Sequence, residues 1–417
     1  MLGALQRGMS CSHRPFVLPA IFGSLLALVS GCAIDDQVTA DDAPVTTQEL
    51  SAPGGFARPT QVLGQFVTLH TDSDESVTNL VAAVNATAAE MSSGGHLRPG
   101  WKGIQFELYW PGLADASGSL TASGTEKLVA VLHAADAAGL VVNFMFKWHG
   151  FSGRMMVPSG GAARQFHAVA KNEYSVAIWD AATLSAYRHL VASVGDLIAS
   201  RPEARRAVGV GFAETACSGC ADAAGYTALA LENGVKALAL TSRRHFPAQV
   251  EVNVYANFFP VEPNSSNARS QSWYVYDFMQ WGSCGNRYVG VGAPDARRWD
   301  IPSPDGAGGS CHPLTTYSPP LYEVMNANGG ALIGVVSESL SQQIPDFEVP
   351  NTAASNMANA VGTLRAAQVV WSDFHGATGT ACGDHGYRID DVFPLVGTVP
   401  VSNDPTWVCI TAVNPYR

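Results

Sequence analysis

The chain reads as a (β/α)8 barrel preceded by a cleaved leader and an unstructured tether. Three observations lead there. Short runs of strand character alternate with helical stretches, giving eight strands between 61 and 372, the rhythm of a parallel sheet with helical crossovers. Two of those runs, AVGVGFAET (207–215) and ALIGVVSESL (331–340), are apolar or glycine on both pleat faces before delivering Glu214 and Glu338 at their C-terminal ends, as buried parallel strands would. A doubly wound open sheet, the competing architecture, usually carries a glycine-rich phosphate turn after an early strand, and none is present.

The leader comes first. Residues 1–31 contain Arg7 and Arg14 and no acid, followed by an apolar run from Phe16 to Val29. That run is about 14 residues long, short of the ~20 a membrane-spanning helix needs, so it reads as a secretory signal. It ends Leu28-Val29-Ser30-Gly31-Cys32, which resembles the lipobox of bacterial lipoproteins. The resemblance implies acylation at Cys32, with membrane attachment only through that lipid. No Asp follows Cys32 directly, so the expected address is the cell envelope, at the outer membrane, or the extracellular space. Residues 32–59 are acidic, rich in Thr, Pro and Gly, and lack apolar periodicity; they read as a disordered tether. Residues 60–417 are left as one barrel domain.

Within that domain the expected strands are 61–71, 103–110, 140–148, 207–215, 249–256, 288–294, 331–337 and 367–372. Helices are expected near 77–91, 125–138, 181–200, 223–244, 319–328 and 353–366. Asp180 is placed to cap the third of them. The stretch 272–281 alternates like a strand, but a helix fits the βα rhythm better. Residues 150–174, rich in Gly, Arg and Met, read as a long loop after the third strand.

Composition narrows the function. The formal net charge is -11, which disfavours nucleic acid and anionic membrane surfaces as partners. Six cysteines remain besides Cys11 and Cys32: Cys217, Cys220, Cys284, Cys311, Cys382 and Cys409. In an oxidising compartment an even set reads as disulfides. Pairing of neighbours, 217 with 220, 284 with 311 and 382 with 409, is one connectivity among those possible. A redox or metal role for Cys217-Ser-Gly-Cys220 is the alternative, but no second CxxC follows.

In a (β/α)8 barrel, active sites gather at the C-terminal ends of the strands. Glu214 and Glu338 would then share one face, on the fourth and seventh strands. Two carboxylates across a cleft are the equipment of glycoside hydrolysis, one protonating the leaving oxygen and the other attacking the sugar or activating water. The alternative for each glutamate is a pair with a nearby arginine or the opening of a helix.

The layout resembles the superfamily of (β/α)8 glycoside hydrolases, in particular the retaining clan. It does so through GIQFELYWPGL (103–113) and through WDAATLSAYRHLVASVGDLIASRPEARRAVGVGFAE (179–214). The resemblance implies Glu214 as acid/base, Glu338 as nucleophile and Trp371 as an aromatic floor. Ala213 departs from the asparagine that most members carry before the acid/base. That departure implies a divergent family, another sugar contact, or a non-catalytic carbohydrate-binding surface lipoprotein. The KWHG stretch (147–150) and GVGFAE are also similar to β-amylases, which invert; Glu338 would then be a general base.

Other residues fall at the strand ends. Trp110, Trp148 and His149 are candidate sugar contacts, with loop packing as their other reading. Asn253, Tyr255, Asp295, Asp373 and His375 lie at the level of the cleft, and Tyr255, Asp295 and Asp373 are taken as substrate-binding. Glu107 shares a strand face with Gln105 and Tyr109, pointing either into the barrel or against a helix. Arg154, Arg164 and His167 offer a substrate wall in the long loop. His70 lacks an HxH partner, so neither metal nor cofactor is expected. A monomer acting on carbohydrate is the expected whole.

Overall fold

The computed structural model describes residues 55–60, 62–69, 75–150, 153–215, 217, 219–256, 259–261, 269–292, 321, 324–325, 357–363, 366–372, 407 and 409–416. All belong to one compact unit, 40–417. Its centre is a parallel sheet whose strands are β1 (Gly64–Leu69), β2 (Trp101–Tyr109), β3 (Val141–Lys147), β4 (Ala207–Phe212), β5 (Glu251–Tyr255), β6 (Val289–Gly292) and a last strand, Gln368–Ser372. In space they run β6, β5, β4, β3, β2, β1, last. The order follows the chain, and the first strand lies between the second and the last.

The sheet is curled. Gln368 of the last strand donates from Nε2 to Glu251 Oε2 of β5 at 3.2 Å, and Asn143 Nδ2 of β3 donates to Gln368 Oε1 at 3.3 Å. In a flat sheet the last strand and β5 would stand ~24 Å apart, five steps of ~4.8 Å. Direct hydrogen bonds require the sheet to wrap around on itself. This confirms a curled parallel sheet of barrel type. The expected seventh strand, 331–337, lies outside the described residues.

These cross-barrel bonds also establish which pleat face points inward. Gln105, Glu107 and Tyr109 share one face of β2, Asn143, Met145 and Lys147 one face of β3, and Glu251, Asn253 and Tyr255 one face of β5. Gln105 reaches across from β2 to β5, donating to the Tyr255 hydroxyl at 2.9 Å. Phe66, Val208 and Val370 form a small apolar cluster of their own, with Val62 and Val141 against it. The opposite face, including Phe106, Phe144, Phe146 and Phe212, joins the main core with helix residues such as Leu128, Val191 and Leu238. Gly209 on β4 makes room for the inward amide of Asn143: a Cβ there would sit 2.7 Å from Asn143 Oδ1.

Among the described residues five helices of more than ten residues cover the outer face: α1 (Val77–Glu90), α2 (Ala122–Ala137), α3 (Ala181–Ala199), α4 (Ala228–His245) and α5 (Gln271–Ser283). Each starts at a side-chain cap. Ser76, Thr121, Asp180, Thr227 and Ser270 accept from the backbone N–H three residues on, each cap contributing about 1 kcal/mol. The ambiguous stretch is therefore a helix, with Ser270 fixing its start. The fourth helix begins later than its apolar pattern implies, because Thr227 caps it and Cys220–Asp222 forms a separate turn.

Two expectations change. The long loop after β3 is folded: His149–Gly150, Glu173–Val176 and Gln165–Ala168 form a three-stranded antiparallel sheet, with His149 opposite Ser175. The cysteines pair as Cys217–Cys220 and Cys284–Cys409, so the expected partners Cys311 and Cys382 for Cys284 and Cys409 give way. The reason is the path of the C-terminal stretch along α5. Gln280 Nε2 donates to the carbonyls of Ile410 (2.8 Å) and Ala412 (3.0 Å), and Asn414 Nδ2 donates to that of Trp273 at 2.9 Å. Cys311 and Cys382 lie outside the described residues. Among those described, no helix is long and apolar enough to cross a membrane.

Replacing Gln368 with Leu leaves Glu251 and Asn143 without the amide that joins them. A loss of about 2–4 kcal/mol is expected, because buried polar groups lose their partners. Urea unfolding of Gln368→Leu against the parent measures it, and an unchanged midpoint would refute the closing role.

Candidate active site

Glu214 lies two residues beyond the end of β4, half-buried at the C-terminal side of the sheet. Its backbone is held from both flanks. The N–H of Ala213 donates to Phe146 O of β3 at 2.9 Å, and the N–H of Thr215 donates to Tyr255 O of β5 at 2.8 Å. Trp148 Nε1 donates to Ala213 O at 2.9 Å. The His149 ring hydrogen-bonds to the backbone of Glu214 itself. The segment is thus positioned by backbone bonds to β3 and β5 and by the His149 ring.

Beside it stands a buried charged cluster. Glu107 is 3% exposed and points inward from β2. Its Oε1 pairs with Lys147 Nζ at 3.0 Å, and its Oε2 accepts from the Tyr109 hydroxyl at 3.0 Å. The Arg154 guanidinium, from the loop after β3, lies 4.6 Å from the centre of the Tyr109 ring. Burial, and then the negative charge of Glu107, raise the Tyr109 phenol well above its usual range, so Tyr109 is a donor at any working pH. His149 is pushed down to about 3, first by burial and then by the Lys147 charge, against the opposing pull of Glu107 and the Glu214 backbone. It is neutral at physiological pH.

A second chain of bonds braces the inner wall. Thr68 Oγ1 donates to Gln105 Oε1 at 3.1 Å, which orients the Gln105 NH2 towards the Tyr255 hydroxyl. His149 and Tyr255 are therefore both connected to the Glu214 segment, the first through its ring and the second through its carbonyl.

The expected aromatic contacts are placed differently. Trp110 is fully buried, donates to Asp115 O at 2.8 Å and packs on Tyr187. Trp148 is 2% exposed, with its indole N–H directed to Ala213. Trp371 alternates with the inward residues Gln368 and Val370, so the pleat turns it outward, where it donates to Gln65 Oε1 at 2.9 Å and joins the main core. These three indoles pack rather than present a sugar-binding face. Glu338, Asp295, Asp373 and His375 lie outside the described residues. Lys147 and Tyr109 were not singled out as site residues by sequence. Their signal was the alternation Gln105-Glu107-Tyr109, and a lysine two residues before His149. Arg164 is exposed, and His167 stacks on Tyr174 in the small antiparallel sheet. Among the described residues no group of three or more His, Cys, Asp or Glu could hold a metal.

The described residues form a curled parallel sheet of barrel type with a polar inner face and Glu214 at the C-terminal end of β4. No family model matches the chain, and no curated protein matches it in sequence. Among solved structures it is similar to glycoside hydrolases. The catalytic domain of a β-amylase from Paenibacillus polymyxa is 9% identical at a TM-score of 0.49, over 82% of this chain and 100% of that one. A Pseudomonas stutzeri endoglucanase is 13% identical at 0.43, over 86% and 100%. An exo-β-1,4-mannosidase from Opitutaceae bacterium strain TAV5 is 11% identical at 0.40, over 77% of this chain, which spans 54% of that protein's length. No family within the glycoside hydrolases is assigned, and the barrel assignment rests on strand order and the bonds across the interior.

The depressed His149 pKa gives a pH signature. Its folded value lies below the unfolded ~6.5, so the unfolded chain takes up the proton first. The stability that neutral His149 contributes is complete above pH ~6.5 and is lost as pH falls towards about 3, at up to ~1.4 kcal/mol per pH unit. Unfolding free energies measured across that window should fall more steeply for the parent than for His149→Asn. Parallel profiles would refute it.

Proposed function

We propose that the protein is a glycoside hydrolase acting on a poly- or oligosaccharide with Glu214 as the acid/base. The observation that carries this reading is the position of Glu214. It is a half-buried carboxyl at the C-terminal end of β4, on a backbone tied to β3, β5 and His149. Active sites of such barrels occupy that face. Glu338 is its proposed partner. The segment 331–337 would supply the strand between β6 and the last strand, which are the two ends of the described sheet, and would complete the (β/α)8 barrel. Glu338 would then emerge on the same face, as nucleophile in a retaining reaction or as general base in an inverting one. A carboxyl separation of about 5–5.5 Å belongs to the first and about 6.5–9.5 Å to the second.

In this reading Glu214 gives its proton to the leaving oxygen while the partner carboxylate acts on the anomeric carbon or on water. His149 and Tyr255, with Asp295 and Asp373, line the sugar site. Residues 1–31 are the signal, Cys32 carries the lipid, and 32–59 tether the catalytic domain, 60–417, at the cell envelope. The disulfides accord with a non-cytoplasmic protein. It acts as a monomer without cofactor.

A second reading is favoured by Ala213, whose side chain offers no hydrogen bond to a ligand and whose carbonyl already accepts from Trp148. On that reading the barrel binds carbohydrate without cleaving it. The experiment is release of reducing ends from a panel of polysaccharides. Glu214→Gln and Glu338→Gln should each lower turnover by roughly 10²–10⁴-fold while sugar binding persists. Full activity in either variant would remove that residue from the mechanism, and binding without release in the parent would establish the second reading.

A further inference from the structure

Asn253 is the middle residue of β5, on the inward face that carries Glu251 and Tyr255. It is 2% exposed. Among the described residues neither its Oδ1 nor its Nδ2 has a hydrogen-bond partner. The register explains why. Gly211 of β4 and Gly290 of β6 are its neighbours on either side, and neither has a side chain to offer. At the same level around the barrel, through Gly211 and Met145, stands Glu107. One inward position above stands Tyr255, already engaged by Gln105.

Several other buried polar side chains are met within the protein, at least at one of their polar atoms. Lys236 joins Glu232 (3.0 Å) to Asp277 (2.7 Å) between α4 and α5. Gln368 joins Asn143 to Glu251. Asn253 differs in presenting a whole amide, one acceptor and two donors, into the barrel beneath the mouth. Buried amides are ordinarily hydrogen-bonded, so this one is suited to meet a group supplied from outside the polypeptide.

We infer that Asn253 is a ligand contact at the floor of the site. Its carbonyl accepts from one hydroxyl and its NH2 donates to a neighbouring hydroxyl of the same molecule. A vicinal diol of a neutral sugar ring satisfies both poles at once. A carboxylate or phosphate supplies only acceptors and leaves Oδ1 unmet. The inference rests on the carbohydrate reading of Glu214 and names a contact residue for it.

The test is calorimetric titration of the full chain with cellotetraose and with mannotetraose, in a Glu214→Gln background, with and without Asn253→Leu. Thermal unfolding is recorded for both. The expected result is a loss of affinity of at least about tenfold, with an unfolding temperature that is unchanged or higher. An apolar group of similar size removes an unmet amide from the free protein while depriving the ligand of its partners. Unaltered affinity with a lower unfolding temperature would assign Asn253 to an internal water instead and overturn the inference, while leaving the carbohydrate reading standing. Should Asn253→Leu not fold, Asn253→Ala provides the same comparison. If the parent background binds neither tetraose and the unmodified chain releases no reducing ends from the polysaccharide panel, both the inference and the reading beneath it fall.

Discussion

The structure depends on a polar interior that has to satisfy itself. A barrel built from parallel strands buries both faces of its sheet, and here the inward face carries Gln105, Glu107, Asn143, Lys147, Glu251, Asn253, Tyr255 and Gln368. Each would be costly in isolation. Apart from Asn253, they are tolerated because neighbouring and distant strands of the curled sheet place complementary groups against one another. Gln368 meets Glu251 and Asn143, and Gln105 meets Thr68 and Tyr255. Curling the sheet and satisfying its interior are therefore one event. The bonds cannot form in a flat sheet, and a closed sheet without them would strand buried amides and a carboxylate.

The same constraint separates packing from chemistry. Aromatic side chains at Phe106, Phe144, Phe146 and Phe212 lie on the outer face, where the helices supply apolar surface. The pleat alternates strictly, so the position of one inward residue determines the rest of its strand. Trp371 follows from this: with Gln368 and Val370 turned inward, it belongs to the helix side. Trp148 follows in the same way, outward beside Lys147 and His149, and its indole is a brace on the carbonyl before Glu214.

Much of this was legible in the sequence, for identifiable reasons. The glycine-rich apolar run at 207–212 could be little other than a buried strand, and Glu214 at its end was visible as an exception to it. The helices were legible from their periodicity, though their starts depended on Ser and Thr caps that single residues announce only weakly. The facing of Glu107 was undecided from sequence, because an alternating strand with Gln, Glu and Tyr on one side can turn that side either way. The bond from Gln105 to Tyr255, 150 residues away, settles it. The pairing of Cys284 with Cys409 was likewise hidden, since it depends on where the C-terminal stretch returns. The small sheet after β3 is hidden in the sequence because its strands are only two to four residues long and are set in a stretch rich in Gly, Arg and Met.

The Glu107–Lys147 pair shows what the interior is for. A buried ion pair is weak evidence for stability, since desolvation offsets much of the attraction, and hydrophobic replacements are often as stable. Here one carboxylate oxygen is occupied by Lys147 and the other by Tyr109, which fits Glu107 to fix its neighbours better than to react. Lys147 in turn opposes protonation of His149, and neutral His149 holds the backbone of Glu214. A chain of charge and hydrogen bonds thus runs from the inside of the barrel to the peptide that carries the half-buried carboxyl. Neutral His149 is the joint of that chain: its ring faces the Glu107–Lys147 pair on one side and the Glu214 backbone on the other, so a change in the buried pair reaches the peptide at the end of β4 through one imidazole.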